Sequence, residues 1–228
     1  MDIWTSIGAA AFLLLSLLFF AAIIFIPAGT IYWPDAWIFL LAQLGLMAII
    51  GSWLSKNNPE LLKERTDLRG RGTKHWDRVV QVLFIILIVV FFYVAAQDAL
   101  YHKWSQAPPA LKALGLAGLA VIMAGVFWVM RTNTFLSRTV RLQKERGQTV
   151  VTTGPYKYVR HPMYAFFALY LPCIALILGS YYAILLTIPF DIVIMVRAVL
   201  EENMLKKGLE GYKEYMEKTR YRLIPKVW

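Results

Sequence analysis

Apolar residues along this chain fall in long blocks, and the blocks predict helices that cross a membrane. A helix needs roughly 20 apolar residues to span the hydrocarbon core. Blocks of that order lie near 7–27, 35–55, 79–98, 112–130, 163–178 and 181–199. The last two are separated only by the uncharged turn Leu178-Gly179-Ser180, which predicts a helical hairpin that need not cross completely. The pattern is that of an all-α, polytopic membrane protein with five or six transmembrane helices. Between blocks two and three, Asn58-Pro59-Glu60 offers a cap, a proline at the first helical position and an early acid. ELLKERTDL then reads as a short amphipathic helix lying on the membrane surface. Gly115, Gly118 and Gly125 fall along one side of the fourth block, where small residues let helices approach closely. The first block is too long for a signal segment, lacks a preceding Lys or Arg and reads as a retained helix.

Composition agrees: 59% of the 228 residues are hydrophobic. The net charge of +10 would point to nucleic acid in a soluble chain, but its distribution argues for topology instead. Seven Lys/Arg lie in 56–78, seven in 131–160 and eight in 197–226, leaving only Lys103 and Lys112 elsewhere. With six spans the three basic stretches share one face, which the positive-inside rule makes cytoplasmic, with both termini on that side. Contact with anionic membrane lipids absorbs the charge, and no nucleic-acid partner is expected. Tyr32-Trp33-Pro34 and Trp37 suit the opposite interface. The single cysteine, Cys173, excludes an internal disulfide. His75, His102 and His161 share no metal-ligand spacing, so no metal is expected.

The halves of this one membrane domain, 1–228, differ. Residues 1–130 are mostly spans and read as a helical scaffold; residues 131–228 hold a basic loop, the hairpin and a polar tail, and read as the cofactor-binding and catalytic part. Thr152 to Tyr164, TTGPYKYVRHPMY, packs glycine, prolines, tyrosines, basic residues and a histidine against the start of an apolar block. A bilayer span does not need such an entry; a stretch holding a small polar ligand at the membrane surface does. Tyr156, Tyr158 and Tyr164 form either an interfacial aromatic belt or a lid over a ring or cation. Arg197 and Glu201, four apart on one helix face, read either as a helix-end ion pair or as site residues. In the second reading the arginine fork suits a carboxylate and the glutamate an ammonium or sulfonium group. Asp191 lies two turns deeper, either lining the pocket or bonding a neighbouring helix. No glycine-rich phosphate loop follows a strand, so a nucleotide-like cofactor would sit between helices and loops.

VVTTGPYKYVRHPMY, R-x-x-x-E-E at Arg197 to Glu202, G-Y-K-E-Y at Gly211 to Tyr215 and RLIP at 222–225 together resemble the isoprenylcysteine carboxyl methyltransferase family. That family belongs to a broader set of membrane methyltransferases that includes phospholipid methyltransferases. The specific resemblance covers about residues 131–228. It implies S-adenosyl-L-methionine bound between the last helices beneath the cytoplasmic loops, with S-adenosylhomocysteine as product. Carried over by position, it implies cofactor contacts at Thr149, Val150, Val151, Tyr156, His161, Pro162, Met163, Tyr164 and Glu201. Arg197 falls near the substrate carboxylate, which makes Arg197 and Glu201 the catalytic pair. Gln148 stands where the family's histidine is usual, Arg141 where an upstream glutamine is, and Phe166 where a glycine often follows the RHPxY tyrosine.

The function implied is methyl transfer to a lipophilic small-molecule or lipidated acceptor, first of all a carboxylate. Lipid N-methylation and small-thiol S-methylation are the alternatives within the group. A sterol-reductase relative using a nicotinamide cofactor is the other enzymatic reading. A non-enzymatic transporter or structural membrane protein is the reading of another class. Against transport stand the one-sided clustering of polar residues and the absence of an inverted-repeat signature.

Overall fold

The computed structural model describes residues 3–66 and 72–228, with side chains from Leu14 onward. Among the described residues the protein is all-helical. Its helices are α1 (Ile3–Ala28), α2 (Pro34–Asn57), α3 (Pro59–Thr66), α4 (His75–Ala96), α5 (Pro109–Thr132), α6 (Pro162–Leu178), α7 (Tyr181–Leu185), α8 (Thr187–Gly208) and α9 (Tyr212–Lys218). α4 runs on through a π-helical turn, Gln97–His102. Proline opens α2, α3, α5 and α6, where its missing N–H costs nothing and its fixed φ favours the first turn. Pro189 sets the break between α7 and α8, because its ring opposes the carbonyl of Leu185 one turn back.

Among the described residues, four segments are long and apolar enough to cross a membrane: Pro34–Asn57, His75–His102, Pro109–Thr132 and Tyr181–Gly208. Leu14–Ala28 and Pro162–Leu178 are shorter apolar helices. At 17 residues α6 is about 26 Å long, a little less than the hydrocarbon thickness. The protein is thus an integral, multi-pass membrane protein, and its wide apolar outer surface, including Leu41, Ile49, Val121 and Ile188, suits lipid. The predicted hairpin is present: Gly179 takes a left-handed conformation at φ +80° and Ser180 caps α7 through Ala183 N. α5 and α6 pack most closely of all. A Cβ on Gly115 would stand 2.7 Å from the Cys173 carbonyl, and one on Gly118 2.6 Å from Cys173 Sγ. Glycine at these positions is what lets the two helices meet.

The helices extend past their apolar blocks into polar sequence, because hydropathy marks the lipid-facing length and hydrogen bonding carries the helix further. α4 begins at His75, which puts Asp77 in its first turn, and α8 continues to Gly208, carrying Glu201 and Glu202. The α3 cap forms as expected, with Leu61 N donating to Asn58 Oδ1 at 3.1 Å; Asp67 and Leu68, the predicted end of that helix, lie outside the described residues. Trp33 departs from its expected place at the interface. The α1–α2 turn folds its ring into the core, while Tyr32 and Trp37 stay exposed.

The two ends of the bundle differ in chemistry. At one end Asp98 is fully buried and accepts from Ser105 N, Ser105 Oγ and Ser180 Oγ, and Lys112 bonds Asp35 at 2.5 Å. At the other, the three basic stretches converge: Arg141 on Glu64, Arg197 on Asp77 and Arg160 on Glu202.

Candidate active site

Local chain geometry builds the site from the loop after α5. Gly154, at φ +57° and pressed against Thr132, starts a 3₁₀ turn, Gly154–Lys157, that turns Tyr156 inward and leaves Tyr158 exposed. Asn133 Nδ2 donates to the Tyr156 hydroxyl at 2.7 Å, and Tyr215 Oη donates to the Tyr156 carbonyl at 2.9 Å. Burial pushes the Tyr156, Tyr212 and Tyr215 phenols up, so all three are neutral hydrogen-bonding groups. The next residues are clamped by the tail. Arg160 N donates to the Tyr221 carbonyl and His161 N to the Arg222 carbonyl, each at 2.9 Å, before Pro162 opens α6.

α8 supplies the opposite wall. Glu202 is fully buried and binds Arg160 Nε at 2.6 Å and Arg222 Nε at 3.0 Å. Its neighbour Glu201 points to the RHPMY segment, where Tyr164 Oη donates to Glu201 Oε2 at 2.5 Å. His161 lies between the two acids, with Nδ1 3.8 Å from Glu201 and Nε2 3.4 Å from Glu202, and stacks on Tyr164 with ring centroids 5.3 Å apart. Arg197 does not pair with Glu201, although the two are one turn apart. Its Nε donates to Asp77 Oδ1 at 2.9 Å and its Nη2 to the Arg138 carbonyl at 3.0 Å, while its guanidinium lies 5.5 Å from the Tyr164 ring centroid. Asp77 is fully buried and also accepts from Gln81 Nε2 and Val140 N, so it ties α4, the loop after α5 and α8 together.

These walls enclose a cavity of about 290 Å³. Thr149, Val150, Val151, Tyr156, His161, Pro162, Met163, Tyr164, Arg197 and Glu201 all line it, so the ten residues expected to form the site come to one place, while Tyr158 does not line it. Asp191 does not line it, and its buried Oδ1 has no hydrogen-bond partner. The three departures also find their places. Phe166 fills the space a Cβ on Gly125 would need; Gln148 Oε1 accepts from Gln143 N at 2.8 Å; Arg141 binds Glu64 and Glu145. Sequence reasoning missed Arg65, Asn133, Arg138, Tyr212 and Tyr215 on the cavity wall, and Asp77 and Arg160 as the partners of Arg197 and Glu202. Tyr212, Tyr215 and Arg160 stood in quoted motifs and Arg65 in the quoted amphipathic helix, without a role assigned; Asn133, Arg138 and Asp77 carried no spacing signal.

In comparison with known families, residues 113–210 match the phospholipid methyltransferase family. That stretch runs from α5 to just past α8 and is similar to a family within the membrane methyltransferase group, which supports a methyltransferase. It contains all ten residues named above but neither α1–α4 nor the tail. No curated protein matches the chain.

Proposed function

We propose that the protein is an S-adenosylmethionine-dependent membrane methyltransferase acting on a lipophilic acceptor. The observation that carries this is the cavity between the RHPMY segment and α8, with the Glu201 carboxylate on its wall, in the stretch that matches a methyltransferase family. The residues present fit the donor. One buried polar atom of a lining residue, Tyr212 Oη, lacks a hydrogen-bond partner, as expected of a wall built against a polar ligand. Glu201 would hold positive charge, Tyr156 and Tyr164 would cover it, and the 149–151 strand of loop would offer backbone groups. The donor supplies a methyl group already activated on a sulfonium centre.

The chain's own contribution is then alignment, with proximity and orientation as the main source of rate. A carboxylate acceptor is ionised at neutral pH and needs no base; Arg197 Nη1 is the part of that guanidinium left to orient it, because Nε and Nη2 are committed. A phospholipid amine is the second reading, favoured by the family match. It must lose a proton, and Glu201 is the carboxylate on the wall able to take it. The basic end of the bundle is the cytoplasmic side by the positive-inside rule, so a polar donor enters from the cytoplasm and the acceptor from the bilayer.

The test is thermal unfolding in neutral detergent with S-adenosylhomocysteine against NADPH. Stabilisation by S-adenosylhomocysteine is expected, amounting to about 2.7 kcal/mol at a hundredfold excess over Kd. A shift with NADPH alone would move the protein to the reductase reading.

A further inference from the structure

Pairing the charges on the cavity wall leaves a remainder. Arg141 is held by Glu64 and Glu145, Arg160 by Glu202, Arg197 by Asp77, and Glu201 by the Tyr164 hydroxyl. Two further guanidinium groups line the same cavity, Arg65 from α3 and Arg138 from the loop after α5. Neither has an acidic partner among the described residues. Both face the same cavity, and burial, with the neighbouring Arg138, pulls the Arg65 guanidinium down to about 10. It still carries its charge at neutral pH. With no acidic partner among the described residues, both guanidinium groups are free to give charge-assisted hydrogen bonds to an oxyanion that enters the cavity they line.

The geometry points to Arg65 and Arg138 as an oxyanion subsite that receives the negatively charged group of the acceptor, a lipid phosphate or a carboxylate. This rests on the methyltransferase reading and names the part of that site which selects the acceptor. The assignment to the acceptor follows from the charge layout. The donor's cationic centre belongs with Glu201, whereas Arg65 sits on the amphipathic helix α3, outside the stretch that matches the methyltransferase family. Arg197, the arginine first expected to take an anion, has two of its three nitrogens engaged.

The experiment measures binding to the purified full chain in neutral detergent. Its probes are dioctanoyl phosphatidylethanolamine, N-decanoylglycine as a carboxylate amphiphile, dioctanoylglycerol as the uncharged control, and S-adenosylhomocysteine. The wild-type chain is expected to prefer one of the two oxyanion-bearing amphiphiles, the zwitterionic phospholipid or the anionic carboxylate, over the glyceride, and which one identifies the oxyanion. Arg138→Gln and Arg65→Gln should each weaken that probe roughly tenfold, the loss of a hydrogen bond to a charged group. S-adenosylhomocysteine should bind within twofold of wild type, and Arg138→Lys should recover part of the lipid affinity. Unchanged lipid binding in both glutamine variants overturns the subsite. Equal loss of S-adenosylhomocysteine also overturns it, because the pair would then serve the donor's carboxylate. Arg138 is exposed, and its backbone carbonyl, the group Arg197 uses, survives side-chain replacement; if Arg65→Gln does not fold, Arg138→Gln decides alone. Arginine-dependent lipid binding in a chain that ignores S-adenosylhomocysteine would retain the subsite and remove the methyltransferase reading.

Discussion

At the residue scale, one buried carboxylate governs the candidate catalytic arginine. Asp77 accepts from Arg197 Nε, Gln81 Nε2 and Val140 N in a place with no solvent exposure. Removing one partner of a buried ion pair leaves the other uncompensated and typically costs about 3–5 kcal/mol. Asp77→Ala should therefore lower the thermal midpoint in detergent well below that of Asp35→Ala, whose ion pair with Lys112 is about a quarter to a third exposed. Asp77→Asn keeps the shape and should fold, but with Arg197 reoriented and turnover reduced while S-adenosylhomocysteine affinity holds. Equal midpoints for Asp77→Ala and Asp35→Ala would show that the Asp77–Arg197 pair is not the hub described. Arg197 was legible in the sequence because it stands at the end of an apolar block beside two glutamates. Asp77 was not, because it is 120 residues away and sits in what reads as the margin of a basic loop.

At the element scale, the α5–α6 contact sets the floor of the site, since α6 begins at Pro162 and carries Met163 and Tyr164. The glycine pattern on α5 could be read in advance, and its partner could not: Cys173 and Phe166 meet those glycines only in three dimensions. A Cβ at Gly115 meets backbone, which cannot yield as a side chain does. Gly115→Val should cost about 1–3 kcal/mol by overpacking. Gly51→Val on α2, with open space around it, should cost less than half as much. Thermal midpoints of the two variants, measured side by side, check the difference. Helix ends were the least legible feature of the elements. The apolar blocks end where lipid contact ends, whereas α4 and α8 run on into the polar layer and deliver Asp77, Glu201 and Glu202 there.

At the scale of the whole molecule, the last ten residues act as a clasp over the site. The Tyr221 and Arg222 carbonyls hold the Arg160 and His161 amides, Arg222 shares Glu202 with Arg160, and the Trp228 carbonyl accepts from the amides of 222–224. A chain ending at Lys218 should keep its helical circular dichroism, because none of its helices is removed, yet lose stabilisation by S-adenosylhomocysteine. Retained stabilisation would show that the RHPMY segment holds its shape without the tail.

Sequence alone determined that this chain lives in a membrane and that its elements are helices; that the segment from Thr149 to Tyr164 and the end of α8 come together was an expectation from local motif and family resemblance, and the structure has them line one cavity. Those conclusions follow from block length, charge distribution and local motif, which are all properties of neighbouring residues. Tertiary structure alone decided which charges cancel: Arg197 against Asp77, Arg160 against Glu202, Arg141 against Glu64, with Arg65 and Arg138 left without an acidic partner among the described residues. The physical reason is that neutralisation depends on distances of a few ångströms between groups 42 to 120 residues apart, and nothing in local spacing encodes them.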